Sequence, residues 1–95
     1  MNIQNMTPEQ KRVEIEKVCG DQETAQKVFQ IIKQEGRASL SLVQRRLRLG
    51  YSTTKRIFDA LEEMEIIGPD PITMDRTILI HPDAFLLTLP EREGV

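Results

Sequence analysis

At 95 residues, 39% of them hydrophobic, the chain has apolar material for one core and too little for a separate catalytic domain. Thirteen Lys and Arg against fifteen Asp and Glu give a net charge of −2, so no overall basic excess announces a nucleic-acid partner. A single cysteine, Cys19, and a single histidine, His81, exclude an internal disulfide and a His/Cys zinc site. No P-loop, dinucleotide-binding or nucleophile-elbow glycine pattern occurs, and the adjacent Glu62 and Glu63 lie on a polar helix face that leaves both solvated. No enzyme, small-molecule substrate, metal or cofactor is therefore expected. The N-terminus lacks a basic region followed by an apolar run, and no segment approaches membrane-spanning length, so the protein is expected in the cytoplasm without a membrane partner.

In chain order, residues 1–6 are polar and aperiodic. Thr7-Pro8-Glu9-Gln10 then combines a capping hydroxyl, a proline at the first helical position and a Gln that can return the hydrogen bond. This predicts a short helix with Val13, Ile15, Val18 and Cys19 on its apolar face, ended by Gly20. Asp21 predicts the cap of a second helix, the main scaffold, in which Ala25, Val28, Phe29 and Ile32 share one stripe before Gly36. Leu40, Val43 and Leu47 mark a third helix, with Gly50 expected to stop it in the left-handed conformation. Ser52 or Thr53 is expected to cap a fourth, with Ile57, Phe58, Leu61 and Met64 buried. Gly68-Pro69-Asp70-Pro71 forces a loop, and Ile72-Thr73-Met74 with Thr77-Ile78-Leu79-Ile80 read as a hairpin around Asp75-Arg76. The fold class is thus mainly α with a small β-hairpin: a winged helix-turn-helix over residues 21–81, an extra helix within an N-terminal extension over 1–20, and an apolar C-terminal tail over 82–95. In that tail Phe85, Leu86, Leu87 and Leu89 need cover, either by packing back on the first helices or as a homodimer seam.

Charge is concentrated where the chain turns. From Gly36 to Phe58 there are Arg37, Arg45, Arg46, Arg48, Lys55 and Arg56 and no acidic residue, whereas Asp59, Glu62 and Glu63 follow. A recognition helix presents its N-terminal residues to base edges in the major groove, which suits double-stranded DNA as the partner. Arg56 and Lys55 are the candidates for guanine, Thr53 and Thr54 for a thymine methyl, and Ser52 for capping. Arg37, Arg45, Arg46 and Arg48, with Arg76 at the wing tip, are expected on phosphates or groove walls.

The segment GRASLSLVQRRLRLGYSTTKRIFDALEEMEIIGP resembles the gamma domain at the C-terminal end of the FtsK/SpoIIIE DNA translocases. The resemblance runs from about Asp21 to Ile80 and is densest from Ala38-Ser39 through Gln44-Arg45-Arg46 to Arg48-Leu49-Gly50-Tyr51. Arg76-Thr77-Ile78-Leu79 sits where the family has a wing arginine, an acidic residue and an apolar strand. The resemblance implies a winged helix that binds a short polarised duplex sequence, and an arginine of the third helix, Arg45, near a base. Where the family follows its tyrosine with Asn, an Arg, two alanines and an Arg, this chain has Ser52-Thr53-Thr54-Lys55-Arg56, which retains only Arg56 and implies a different target sequence. With no motor in these residues, the expected function is sequence-specific duplex binding by a stand-alone winged helix, a small regulator of transcription, replication or mobile-element maintenance. The alternative is a winged-helix protein-interaction module that does not touch DNA, favoured by the acidic pI of about 5.4.

Overall fold

A computed structural model of the chain describes residues 3–69 and 76–87. After a single 3₁₀ turn at Ile3–Asn5 come four helices, α1 (Pro8–Cys19), α2 (Gln22–Glu35), α3 (Leu40–Leu47) and α4 (Tyr51–Glu63), and a second 3₁₀ turn at Pro82–Ala84. The described residues are mainly helical with almost no strand.

The first two helices begin and end on the signals that predicted them. Thr7 Oγ1 accepts from Gln10 N at 3.1 Å while Gln10 Oε1 accepts from Thr7 N at 2.9 Å, a reciprocal capping box. Asp21 Oδ1 accepts from Thr24 N at 2.6 Å, and this bond holds its carboxyl below the ordinary carboxylate range. Gly20 (φ 99°) and Gly36 (φ 71°) close α1 and α2 in the left-handed region, their N–H groups donating to Glu16 O and Ile32 O.

Helix α1 packs on α2 and α4, and α3 packs on both α2 and α4. Ile15 from α1, Ala25, Val28, Phe29, Ile31 and Ile32 from α2, Val43 from α3, and Ile57, Phe58 and Leu61 from α4 form one core. Leu40 and Leu47 stand half-buried at its margin. Ala38 and the pair Ile66-Ile67, absent from the helical stripes, are buried in it. Ile78 and Ile80 pack against it, whereas Leu79 between them is 55% exposed.

The C-terminal segment also enters this core. Phe85, 1% exposed, stacks on Phe29 with ring centroids 4.9 Å apart and planes 20° apart. Gln26 holds the backbone on either side of Leu86, donating from Nε2 to Phe85 O and accepting at Oε1 from Leu87 N, both at 2.9 Å. Lys33 Nζ meets Asp83 Oδ1 at 2.8 Å, which lowers the Asp83 carboxyl from its usual range. Phe85 is thereby removed from the expected homodimer seam: its surface is spent inside the protomer. Leu86 and Leu87 remain half-buried, and Leu89 lies outside the described residues.

The expected hairpin around Asp75-Arg76 is not shown: Ile72, Thr73, Met74 and Asp75 lie outside the described residues. Within them the segment after Arg76 pairs with the residues that follow α4. Ile67 and Ile78 form an antiparallel bridge, flanked by Gly68 N to Thr77 O and Leu79 N to Ile66 O, each 2.8 Å. A second bridge joins Arg76 to Ala38. Ile66 and Ile67, both buried, give this segment an apolar edge to pair with.

Candidate nucleic-acid interface

Three residues, 48–50, connect α3 to α4. Arg48, not Gly50, adopts the left-handed conformation (φ 56°, ψ 43°), and its N–H donates to Arg45 O at 3.4 Å. Gly50 is extended (φ −70°, ψ 159°) and serves as the N-cap of α4 with no side-chain capping bond. Its carbonyl accepts twice from Thr54, from the backbone N at 3.0 Å and from Oγ1 at 2.9 Å. Two expectations are corrected here. The stop falls two residues before the glycine because the short turn needs its bend at position 48. Ser52 does not cap α4, because the helix has already begun at Tyr51, and its side chain is exposed.

The phase of α4 decides what the helix presents. Thr54, Ile57, Phe58 and Leu61 face the core, so Thr54, fully buried with its hydroxyl committed to Gly50, is withdrawn from the expected contact with a thymine methyl. Thr53 is half-buried. Ser52, Arg56, Asp59 and Glu63 run along the exposed face at i, i+4, i+7 and i+11. Tyr51, which the sequence reading left out of the candidate contacts, is 59% exposed at the first position of the helix. Its spacing of three from Thr54 and seven from Phe58 places it on the buried stripe by phase alone, yet it precedes the first core contact of α4.

The cations divide by partner. Arg46 Nη2 is paired with Glu35 Oε2 at 2.7 Å, which ties α3 to the end of α2. Lys55 Nζ is paired with Asp59 Oδ1 at 2.7 Å one turn along α4, and that hydrogen bond raises its pKa. Arg45, Arg48 and Arg56 are exposed and have no side-chain hydrogen bond or ion pair among the described residues. Arg37 is exposed on the α2–α3 connection. Arg45 near the end of α3, Arg48 in the connection and Arg56 in the second turn of α4 are thus the uncommitted cations of this segment.

Arg76 does not sit at an exposed tip. It is 6% exposed, and its Nη1 donates to Glu62 Oε1 at 3.2 Å and to Phe58 O at 3.4 Å, with the guanidinium carbon 5.6 Å from the centre of the Phe58 ring. The bridge to Ala38 pulls its backbone inward, and the carboxylate and ring of α4 supply the partners that a buried guanidinium requires.

Among the described residues no group of three His, Cys, Asp or Glu is placed to hold a metal ion, and no helix is long and apolar enough to cross a membrane.

Comparison with known proteins finds that the FtsK gamma domain matches residues 20–81, a span containing α2, α3, α4 and Arg76 but neither α1 nor Phe85. The chain is 34% identical over 77 residues to the DNA translocase FtsK of Oceanobacillus iheyensis, covering 81% of this chain and 10% of that protein. It is 40% identical over 76 residues to the DNA translocase FtsK of Clostridium acetobutylicum, covering 79% and 10%. To the DNA translocase SpoIIIE of Bacillus subtilis it is 38% identical over 48 residues, covering 50% and 6%. The chain therefore spans about a tenth or less of the length of these relatives. No solved structure matches.

Proposed function

The chain belongs to the FtsK gamma domain family, and from that premise we propose that it binds duplex DNA through the α3–turn–α4 face in a sequence-dependent manner. The observation that carries this reading is the set of three exposed arginines, Arg45, Arg48 and Arg56, left without internal partners around one short turn. A surface that neutralised its charge internally, as Arg46 and Lys55 do, would have little to offer a phosphate backbone. Arg45 and Arg48 meet phosphates and fix register, whereas Arg56, on the exposed face of α4 one turn after Ser52, meets base edges. Lys55 reaches DNA only by giving up Asp59. The relatives are named DNA translocases, and the reading for this chain is their DNA-recognition role alone, as a stand-alone binder. The process it serves is regulation of transcription, replication or mobile-element maintenance in the cytoplasm. Any pairing of two copies through the tail uses Leu86, Leu87 and Leu89, since Phe85 is buried.

Selection from randomised duplexes, followed by titration of the enriched and a scrambled duplex at several salt concentrations, tests the reading. Arg56→Ala is expected to cost about 1–3 kcal/mol on the enriched duplex and to relax the choice of base. Arg45→Ala is expected to weaken both duplexes alike and to reduce the salt slope by about one. Enrichment of no motif at low salt, with both arginine variants binding as the parent does, replaces DNA with a protein partner for this face.

A further inference from the structure

We propose that Arg76 is a positioning residue for DNA recognition, an internal strut that fixes α4 against the start of α3 and acts on DNA only through those helices; the inference rests on the DNA-binding reading. Its backbone exchanges two hydrogen bonds with Ala38, Arg76 N to Ala38 O at 3.0 Å and Ala38 N to Arg76 O at 3.3 Å. Ala38 precedes Ser39, whose hydroxyl accepts from Leu42 N and caps α3. The side chain of the same residue bonds the last turns of α4 at Phe58 O and Glu62 Oε1 and covers the Phe58 ring. One residue is therefore bonded both to the lead-in of α3 and to the body of α4, adding a polar tie to two helices that also share a three-residue turn and an apolar contact. To reach a phosphate the buried guanidinium would have to leave a carboxylate, a carbonyl and an aromatic face at once. Nη1 alone donates to both acceptors, while the planar guanidinium lies over the Phe58 ring, a flat contact that a lysine ammonium reproduces only in part.

The test compares Arg76→Met, Arg76→Lys and Glu62→Gln with the parent on the duplex enriched by the parent protein and on its scrambled counterpart, across salt. For Arg76→Met the preference for the enriched duplex is expected to fall by about tenfold or more, the scale on which a ~1 Å misplacement acts, with the salt slope unchanged. Arg76→Lys is expected to fall part of the way, and Glu62→Gln to move in the same direction. Phe85→Leu, a core change on the α2 side, is expected to lower stability while keeping the preference. A salt slope reduced by about one in Arg76→Met overturns the proposal in favour of a direct phosphate contact. An unchanged preference, or an equal loss in Phe85→Leu, overturns it in favour of no role or a general structural one. If Arg76→Met does not fold, Arg76→Lys and Glu62→Gln decide by the same criteria. If the parent binds no duplex at any salt, the DNA reading fails on its own, and amide exchange decides the strut. Selective loss of protection at Phe58–Glu63 relative to α2 in Arg76→Lys upholds the strut, and uniform or absent loss removes it.

Discussion

Arg48 combines an uncommitted charge with a backbone conformation that an L side chain adopts at a cost, φ 56° at the end of α3. These two properties separate under mutation. Arg48→Gly relieves the backbone, so the folded state should gain about 0.5–1 kcal/mol net of the freedom glycine adds to the unfolded chain. The same change removes a cation from the turn, so both enriched and scrambled duplexes should bind more weakly, with the salt slope lower by about one. Denaturant titration beside salt-dependent binding reads both, and a gain in stability with no change in binding would take Arg48 out of the interface. Thr54 makes the complementary case: Thr54→Val keeps the shape and deletes the bond to Gly50 O, which still accepts from Thr54 N. Its expected cost is about 0.5–1.5 kcal/mol, with duplex preference unaltered. A changed preference would return its hydroxyl to the DNA. The burial of Thr54 was legible, since it lies three before Ile57, four before Phe58 and seven before Leu61. Polarity argued for the surface, and helical phase outweighed it. Arg76 was not legible, because its partners are 14 and 18 residues away and no local pattern marks a buried arginine.

At the level of elements, the termini of α1 and α2 could be read because their signals are self-contained: Thr7 with Gln10, Asp21 with Thr24, and a glycine at each end. The α3–α4 turn could not, since three residues joining two packed helices take whichever backbone closes the gap, and the chain contains both a glycine and two hydroxyls that fit the usual capping pattern equally well. The pairing of Ile78 with Ile67 was hidden for a related reason: a run of apolar residues announces a strand but not its partner. The Asp21 cap also predicts a pH dependence. Its carboxyl is lowered in the folded state, first by the Thr24 hydrogen bond, so the unfolded chain holds the proton more tightly. The stabilisation is therefore fully present above the ordinary carboxylate value of about 3.9 and is lost as pH falls through the lower folded value. Asp21→Asn keeps an oxygen for Thr24 N but cannot titrate. The stability gap between parent and variant should be constant near neutral pH and should shift in favour of the variant as the solution is acidified below that value. A gap independent of pH would show that the cap does not depend on charge.

For the whole molecule, the question is which residues belong to one core, and here membership follows from how elements meet more than from periodicity. Leu61, fully buried between helices, should cost about 2–5 kcal/mol on truncation to alanine, and half-buried Leu47 clearly less, although both fall on their helical stripes. Phe85 is the sharper case, because its aromatic surface in an apolar tail admits two readings with opposite consequences. In a homodimer seam, Phe85→Ala would lower association and leave the stability of each protomer intact. In the arrangement described here the ring stacks on Phe29, the backbone is held by Gln26, and the neighbouring Asp83 is paired with Lys33, so the tail closes α2 within its own protomer. Phe85→Ala should then cost about 3–5 kcal/mol of folding stability, a large share of the total for a domain of this size. Phe29→Ala should cost a similar amount, and the double variant less than the sum, because each truncation already abolishes the same stacked pair. Denaturant titration of the three variants, with sedimentation of each at matched concentration, separates the readings: stability should fall with the association state unchanged, and dissociation at parental stability would place Phe85 on an interface after all.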